Sequence, residues 1–104
     1  MYLVTIVYPN SDGATFDFDH FHRQHLPAVG KAFGPFGLGW GTVMRGEQSL
    51  DGSDPAYFAI MVLSFPSERS AREALNSEGA QGLMSQIANF TTVTPKIQFN
   101  SSVA

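Results

Sequence analysis

All three histidines of this 104-residue chain fall in one short segment, Phe16-Asp17-Phe18-Asp19-His20-Phe21-His22-Arg23-Gln24-His25-Leu26-Pro27. Imidazole is the side chain whose ordinary titration lies nearest neutrality, so proton chemistry in this protein would centre on that segment. His25 is the candidate of most interest, because Phe21 and Val29 flank it at four-residue spacing on the apolar stripe of a helix. A histidine buried there must satisfy both ring nitrogens or stay neutral with a lowered pKa, and in an apolar pocket it is suited to act as a general acid or base. The alternative is a core histidine bonded to a carbonyl or a tyrosine, or one exposed where the helix bends. His20 and His22 point elsewhere on a helix and read as solvated. His22 and His25 are three apart and could approach a common metal, but a third ligand would have to come from Asp17 or Asp19, and no metal site is expected. Asp17 reads as a helix cap before it reads as a catalytic carboxylate. Tyr8, Phe21 and Trp40 are bulky enough to shape a pocket, with ordinary core packing as the competing role.

Composition narrows the classes around that segment. Apolar residues make up 43% and charged residues 14%, with a net charge of −3. The charged share is well below the usual ~25%, which suits a folded chain with part of its surface covered. A chain of this length buries roughly 60–68% of its unfolded surface, enough for one thin core. The expectation is therefore a single domain over residues 1–104. No basic run tracks a phosphate backbone, so nucleic acid is not an expected partner. Cysteine is absent, which removes disulfides, thiolate catalysis and cysteine-ligated metals. No apolar run approaches the ~20 residues that cross a bilayer, and the apolar start reads as a strand rather than a signal peptide. A cytoplasmic location and no membrane partner are the default expectations.

The elements that must position the histidines follow from spacing. Tyr2 to Tyr8 is rich in β-branched and aromatic residues and stops at Pro9-Asn10, which predicts a first strand. A helix begins at Asp17 and ends at Gly34-Pro35, with Phe18, Phe21, His25, Val29 and Phe33 on one face and an Asp19–Arg23 pair on the other. Pro27 lies inside it and predicts a kink or break near His25. Gly37 to Arg45 is a glycine-rich second strand and Tyr57 to Phe65 an apolar third. Ser67 caps a second helix with Glu68/Arg72 and Arg69/Glu73 pairs, interrupted by Gly79 and Gly82. Thr91 to Phe99 is the fourth strand. The Gly34–Gly39 stretch does not join a strand to a helix as a phosphate loop would. The order β-α-β-β-α-β predicts an α+β, ferredoxin-like fold, with a four-stranded antiparallel sheet and two helices on one face.

One feature argues for a second copy. A two-layer sheet normally alternates apolar and polar residues. Here Tyr2, Val4, Ile6 and Tyr8 oppose Leu3, Thr5 and Val7. Phe58, Ile60 and Val62 oppose Tyr57, Ala59, Met61, Leu63 and Phe65. The helices cover one face only, so the other would expose a large apolar patch. A two-fold pairing through that face is the simplest cover.

The segment also resembles the EthD family of the dimeric α/β-barrel superfamily. The matching positions are Phe16, Asp17, Phe21, His25 and Pro27. The likeness runs on through Tyr8-Pro9-Asn10, Tyr57-Phe58-Ala59-Ile60, and Asn89-Phe90-Thr91 leading into Pro95-Lys96-Ile97-Gln98, so it spans nearly the whole chain. One departure is that the family's usual tyrosine pair is His20-Phe21 here, so a phenol role at this place is absent or has passed to His20. The resemblance implies a homodimer whose sheets form a barrel, with a ligand pocket between sheet and helices of each subunit. His25 would look into that pocket as the catalytic group, and Phe21, Tyr8, Trp40 and His20 would line it. The implied function is an enzyme of reductase, isomerase or cyclase type on a small hydrophobic or aromatic metabolite, with no cofactor predicted. The alternatives are a non-catalytic ligand-binding accessory protein of a degradation pathway and a haem-binding barrel ligated through His25.

Overall fold

The computed structural model describes residues 1–104. Strands β1 (Tyr2–Pro9), β2 (Gly41–Arg45), β3 (Tyr57–Phe65) and β4 (Lys96–Ser101) form one antiparallel sheet in the order β2-β3-β1-β4. With the helices placed between them in the chain, this is the expected α+β, ferredoxin-like arrangement. Register follows from side-chain alternation. Val4 stands between Leu63 and Phe99, and Ile6 between Met61 and Ile97, so the face they share turns toward the helices. A single cluster of 16 buried apolar residues lies between the two layers.

The first helix carries the histidine segment and departs from its expected form. Asp17 caps it as expected, its Oδ1 accepting from the His20 N–H at 3.0 Å. Asp19 pairs with Arg23 at 3.0 Å on the exposed face. The helix does not break at Pro27. It runs through as an α-turn (Phe18–His20), a π-helical turn (Phe21–His25) and a further α-helix (Leu26–Phe33). The Leu26 N–H donates to the Phe21 carbonyl, five residues back. An α register would press the Pro27 ring on the Arg23 carbonyl, and the wider turn relieves that clash. It also keeps the buried stripe in phase. Phe21, His25, Val29 and Phe33 are all buried at spacings of four. A four-residue step overshoots the 3.6-residue α turn, and one wide turn takes up part of the drift.

The second helical stretch divides differently from its expected pattern. The break falls not at Gly79 or Gly82 but between Glu68–Leu75 and Glu78–Gln86, where Asn76 leaves the helix and Ser77 caps the next by accepting from the Ala80 N–H. Short polar side chains compete with the helix for backbone groups, which makes this pair the natural break. The layer thus has three helices instead of two. Gly79 lies inside the third, where an added Cβ would come within 3.1 Å of Ala32 Cβ, so it lets that helix approach the first closely. β2 starts later than expected because Gly34–Phe36 continue as a 3-10 turn and Gly37 reverses the chain at φ 85°. β4 also starts later, after Pro95, and Thr91 is held apart by an isolated bridge to Phe16. At a register shift beside Tyr8 and Pro9, Phe58 is left unopposed. Instead of facing out with Ile60 and Val62, it brings its ring 5.5 Å from Phe16, as a bulge allows.

Asp17 fixes the start of the helix that positions His25. Asp17→Ala is expected to lower unfolding stability by about 1 kcal/mol, and Asp17→Asn by much less, since asparagine caps nearly as well. Urea unfolding of the two variants checks this.

Candidate active site

Aromatic packing places His25. Phe16, Tyr8, Phe21 and Phe90 surround one another with ring centroids 5.1–5.8 Å apart. Most of these contacts are edge-on, the geometry favoured by ring quadrupoles. The His25 ring lies 4.8 Å from Phe90 and 5.7 Å from Phe21. It is 4% exposed, and its Nδ1 is buried with no hydrogen-bond partner. An unsatisfied buried polar atom costs about 1–3 kcal/mol, so native proteins rarely keep one without a use for it.

The imidazole borders a cavity of about 210 Å3 between the sheet and the first and third helices, closed at one end by Leu75 of the second. Ile6, Leu75, Leu83 and Ile87 form its apolar wall. His25 and Tyr8 supply the only polar side-chain groups on that wall. Met84 and Ile97, 47% and 37% exposed, mark its open side. Burial lowers the pKa of His25, and the nearby charge of His20 lowers it further, so the ring is held neutral. Burial pushes the Tyr8 phenol up, which keeps it protonated and able to donate. A neutral base and a neutral hydroxyl donor therefore share one apolar space.

The other expected pocket residues divide. Tyr8 lines the cavity with His25. Phe21 stacks on His25 but lines a separate groove on the far side of the first helix. His20 lies 6.4 Å from the Phe90 ring and acts on His25 through charge rather than as part of the wall. Trp40 does not reach the cavity. Its carbonyl accepts from the Ser64 N–H, extending the β2–β3 ladder, and alternation puts it on the sheet face away from the helices, 45% exposed. Residue spacing puts Leu83, Met84 and Ile87 on helical turns but does not assign them, or Phe90, to the pocket; Leu83 and Met84 lie on the third helix and Ile87 just beyond it. Their signals were present in the apolar helical turns before Phe90. No group of three or more histidine or acidic side chains is placed to hold a metal ion. The cavity is below the ~300–1,000 Å3 of drug-sized pockets, and its residues do not fit a haem macrocycle.

Comparison with known proteins bears on the fold. No protein-family model and no curated protein matches the chain. Among solved structures, an EthD-like protein from Ralstonia eutropha JMP134 superposes with a TM-score of 0.86 at 29% identity, covering 99% of this chain and 92% of that one. This chain is similar to that EthD-like protein over nearly its whole length. A second EthD family protein, from Bacillus halodurans C-125, gives a TM-score of 0.69 at 19% identity, over 97% of this chain and 99% of that one. SnoaB, a cofactor-independent oxygenase from Streptomyces nogalater, gives 0.64 at 12% identity, over 99% and 91%. At these lower identities the likeness concerns the fold.

The lowered pKa of His25 has a consequence for stability. Between the unfolded value of about 6.5 and the lower folded one, the unfolded state binds more protons, so stability falls as pH drops through that window. Urea unfolding across this range is expected to show that loss, and His25→Leu is expected to flatten it whatever the variant's stability at neutral pH.

Proposed function

We propose that the chain is an enzyme that moves a proton at carbon in a small, uncharged, hydrophobic or aromatic substrate. The observation that carries this reading is the buried, partnerless Nδ1 of His25 on the wall of a cavity whose other polar group is the Tyr8 hydroxyl. In the proposed step, neutral His25 accepts a proton from a carbon beside a carbonyl, and Tyr8 donates a hydrogen bond to the oxygen on which charge gathers. Return of the proton at another carbon completes an isomerisation, and attack of the carbanion on a second carbonyl carbon of the substrate, whose C=O π-bond opens and whose oxygen takes the proton from His25, completes a cyclisation. Both close without a resident cofactor. The structural likeness to a cofactor-independent oxygenase supports chemistry of that kind on this fold.

Solvent-deuterium exchange at the activated C–H of small neutral aromatic ketones tests this directly. Wild-type protein is expected to accelerate exchange, and His25→Leu to lose on the order of 10²–10⁴ of that acceleration, the usual share of a general base. Equal rates in wild type and variant would contradict the proton-transfer role. Ligand binding without exchange would favour the accessory, ligand-binding reading.

The same reading includes a homodimer. Leu3, Val7, Ile60 and Val62 form an apolar patch on the helix-free face, extended by exposed Trp40 and Met44. A second copy of this face would cover it with closed two-fold symmetry. Val62 stands between Thr5 and Thr42 near the middle of the sheet. Val62→Lys is expected to convert a dimer to a folded monomer by sedimentation velocity, and a monomeric wild type would contradict this part.

A further inference from the structure

On the side of the first helix away from the His25 cavity runs a groove of about 540 Å3, between that helix and strands β2 and β3. Its volume falls within the ~300–1,000 Å3 of small-molecule sites. Phe18, Leu26, Val43 and Leu63 give it apolar walls, and Arg45 stands on its rim.

Two features of the groove have no explanation in the fold alone. The first is Arg45. The other three arginines, Arg23, Arg69 and Arg72, each pair with a carboxylate one helical turn away. Arg45 has no such partner, and Glu47 beside it in the chain makes no ion pair with it. Its guanidinium lies 4.1 Å from the Phe18 ring centroid, which holds a lone cation at the apolar wall. The second is Gly30. It sits inside a helix with no positive φ, and an added Cβ would meet nothing within 4 Å. A helix-interior glycine is less stable than alanine, and no neighbour requires this one. What its missing side chain does is leave the groove open.

We infer that this groove binds a small apolar carboxylic acid, with its aryl or alkyl tail on the apolar walls and its carboxylate on Arg45. A guanidinium suits a carboxylate because its planar fork can donate two parallel hydrogen bonds. The site is separate from the His25 cavity, whose wall carries no charged partner for an acid, and it does not rest on the proton-transfer reading.

Amide-detected NMR titration with 3-phenylpropanoate and octanoate, against 3-phenylpropanamide as the neutral control, tests the inference. The acids are expected to shift the amides of Gly30, Gly41 and Val43, and 3-phenylpropanoate to bind about tenfold more tightly than its amide, as a charge-assisted hydrogen bond implies. Arg45→Met is expected to erase that preference. Gly30→Leu, which fills the groove without crowding the backbone, is expected to abolish binding of acid and amide alike with the circular dichroism spectrum unchanged. Equal affinity for acid and amide would overturn the proposal. So would shifts confined to the His25 cavity, no shifts at millimolar ligand, or groove amides that already move with protein concentration, which would show a second copy in the groove.

Discussion

The structure depends on one helix laying Phe21, His25, Val29 and Phe33 against the sheet while carrying a proline in its middle. A plain α-helix cannot hold that proline without losing a hydrogen bond and crowding a carbonyl. The π-helical turn at Phe21–His25 accommodates it and places His25 among aromatic rings, away from water. π-turns inside α-helices occur frequently at functional sites. Here the turn sets both the burial of the imidazole and the direction in which it faces.

Burial has electrical consequences that a solvated histidine would not show. Removing the ring from water disfavours its charged form, and the same desolvation keeps the Tyr8 phenol protonated. Low polarity around the cavity also strengthens any hydrogen bond a ligand makes there. The cost is an Nδ1 with nothing to bond. In a protein of marginal stability that cost is a sizeable fraction of the whole. The helix thus separates two environments, an apolar cavity without charge on one side and a wider groove with an unpaired arginine on the other.

Much of this arrangement was legible in the residues. The β-branched and aromatic run Tyr2–Tyr8 and the apolar run Tyr57–Phe65 identified both central strands, and Asp17 and Ser67 marked the helix starts they cap. His25 stood out because it alone among the histidines shares the phase of Phe21 and Val29. Less legible was the way Pro27 would be absorbed. A proline in a helix predicts disturbance, but a kink and a wide turn differ only in how neighbouring carbonyls are served, and that is decided by packing. The division at Asn76-Ser77 lost to two nearby glycines as the obvious breakers, although local capping by Ser77 outweighs glycine flexibility. Trp40 was read as a pocket residue by its size, whereas the parity of the strand decides its face, and that parity depended on where β2 pairs with β3.

The central claim is that His25 is a neutral, partnerless base facing a ligand cavity. Ring nitrogen chemical shifts of histidine, followed by NMR from acid to neutral pH with and without a small neutral aromatic ketone, test it most directly. The account predicts that His25 stays neutral below the pH at which an ordinary histidine protonates, and that its nitrogen signals move when the ketone is added. A His25 that titrates like a solvated histidine and ignores the ketone would contradict it.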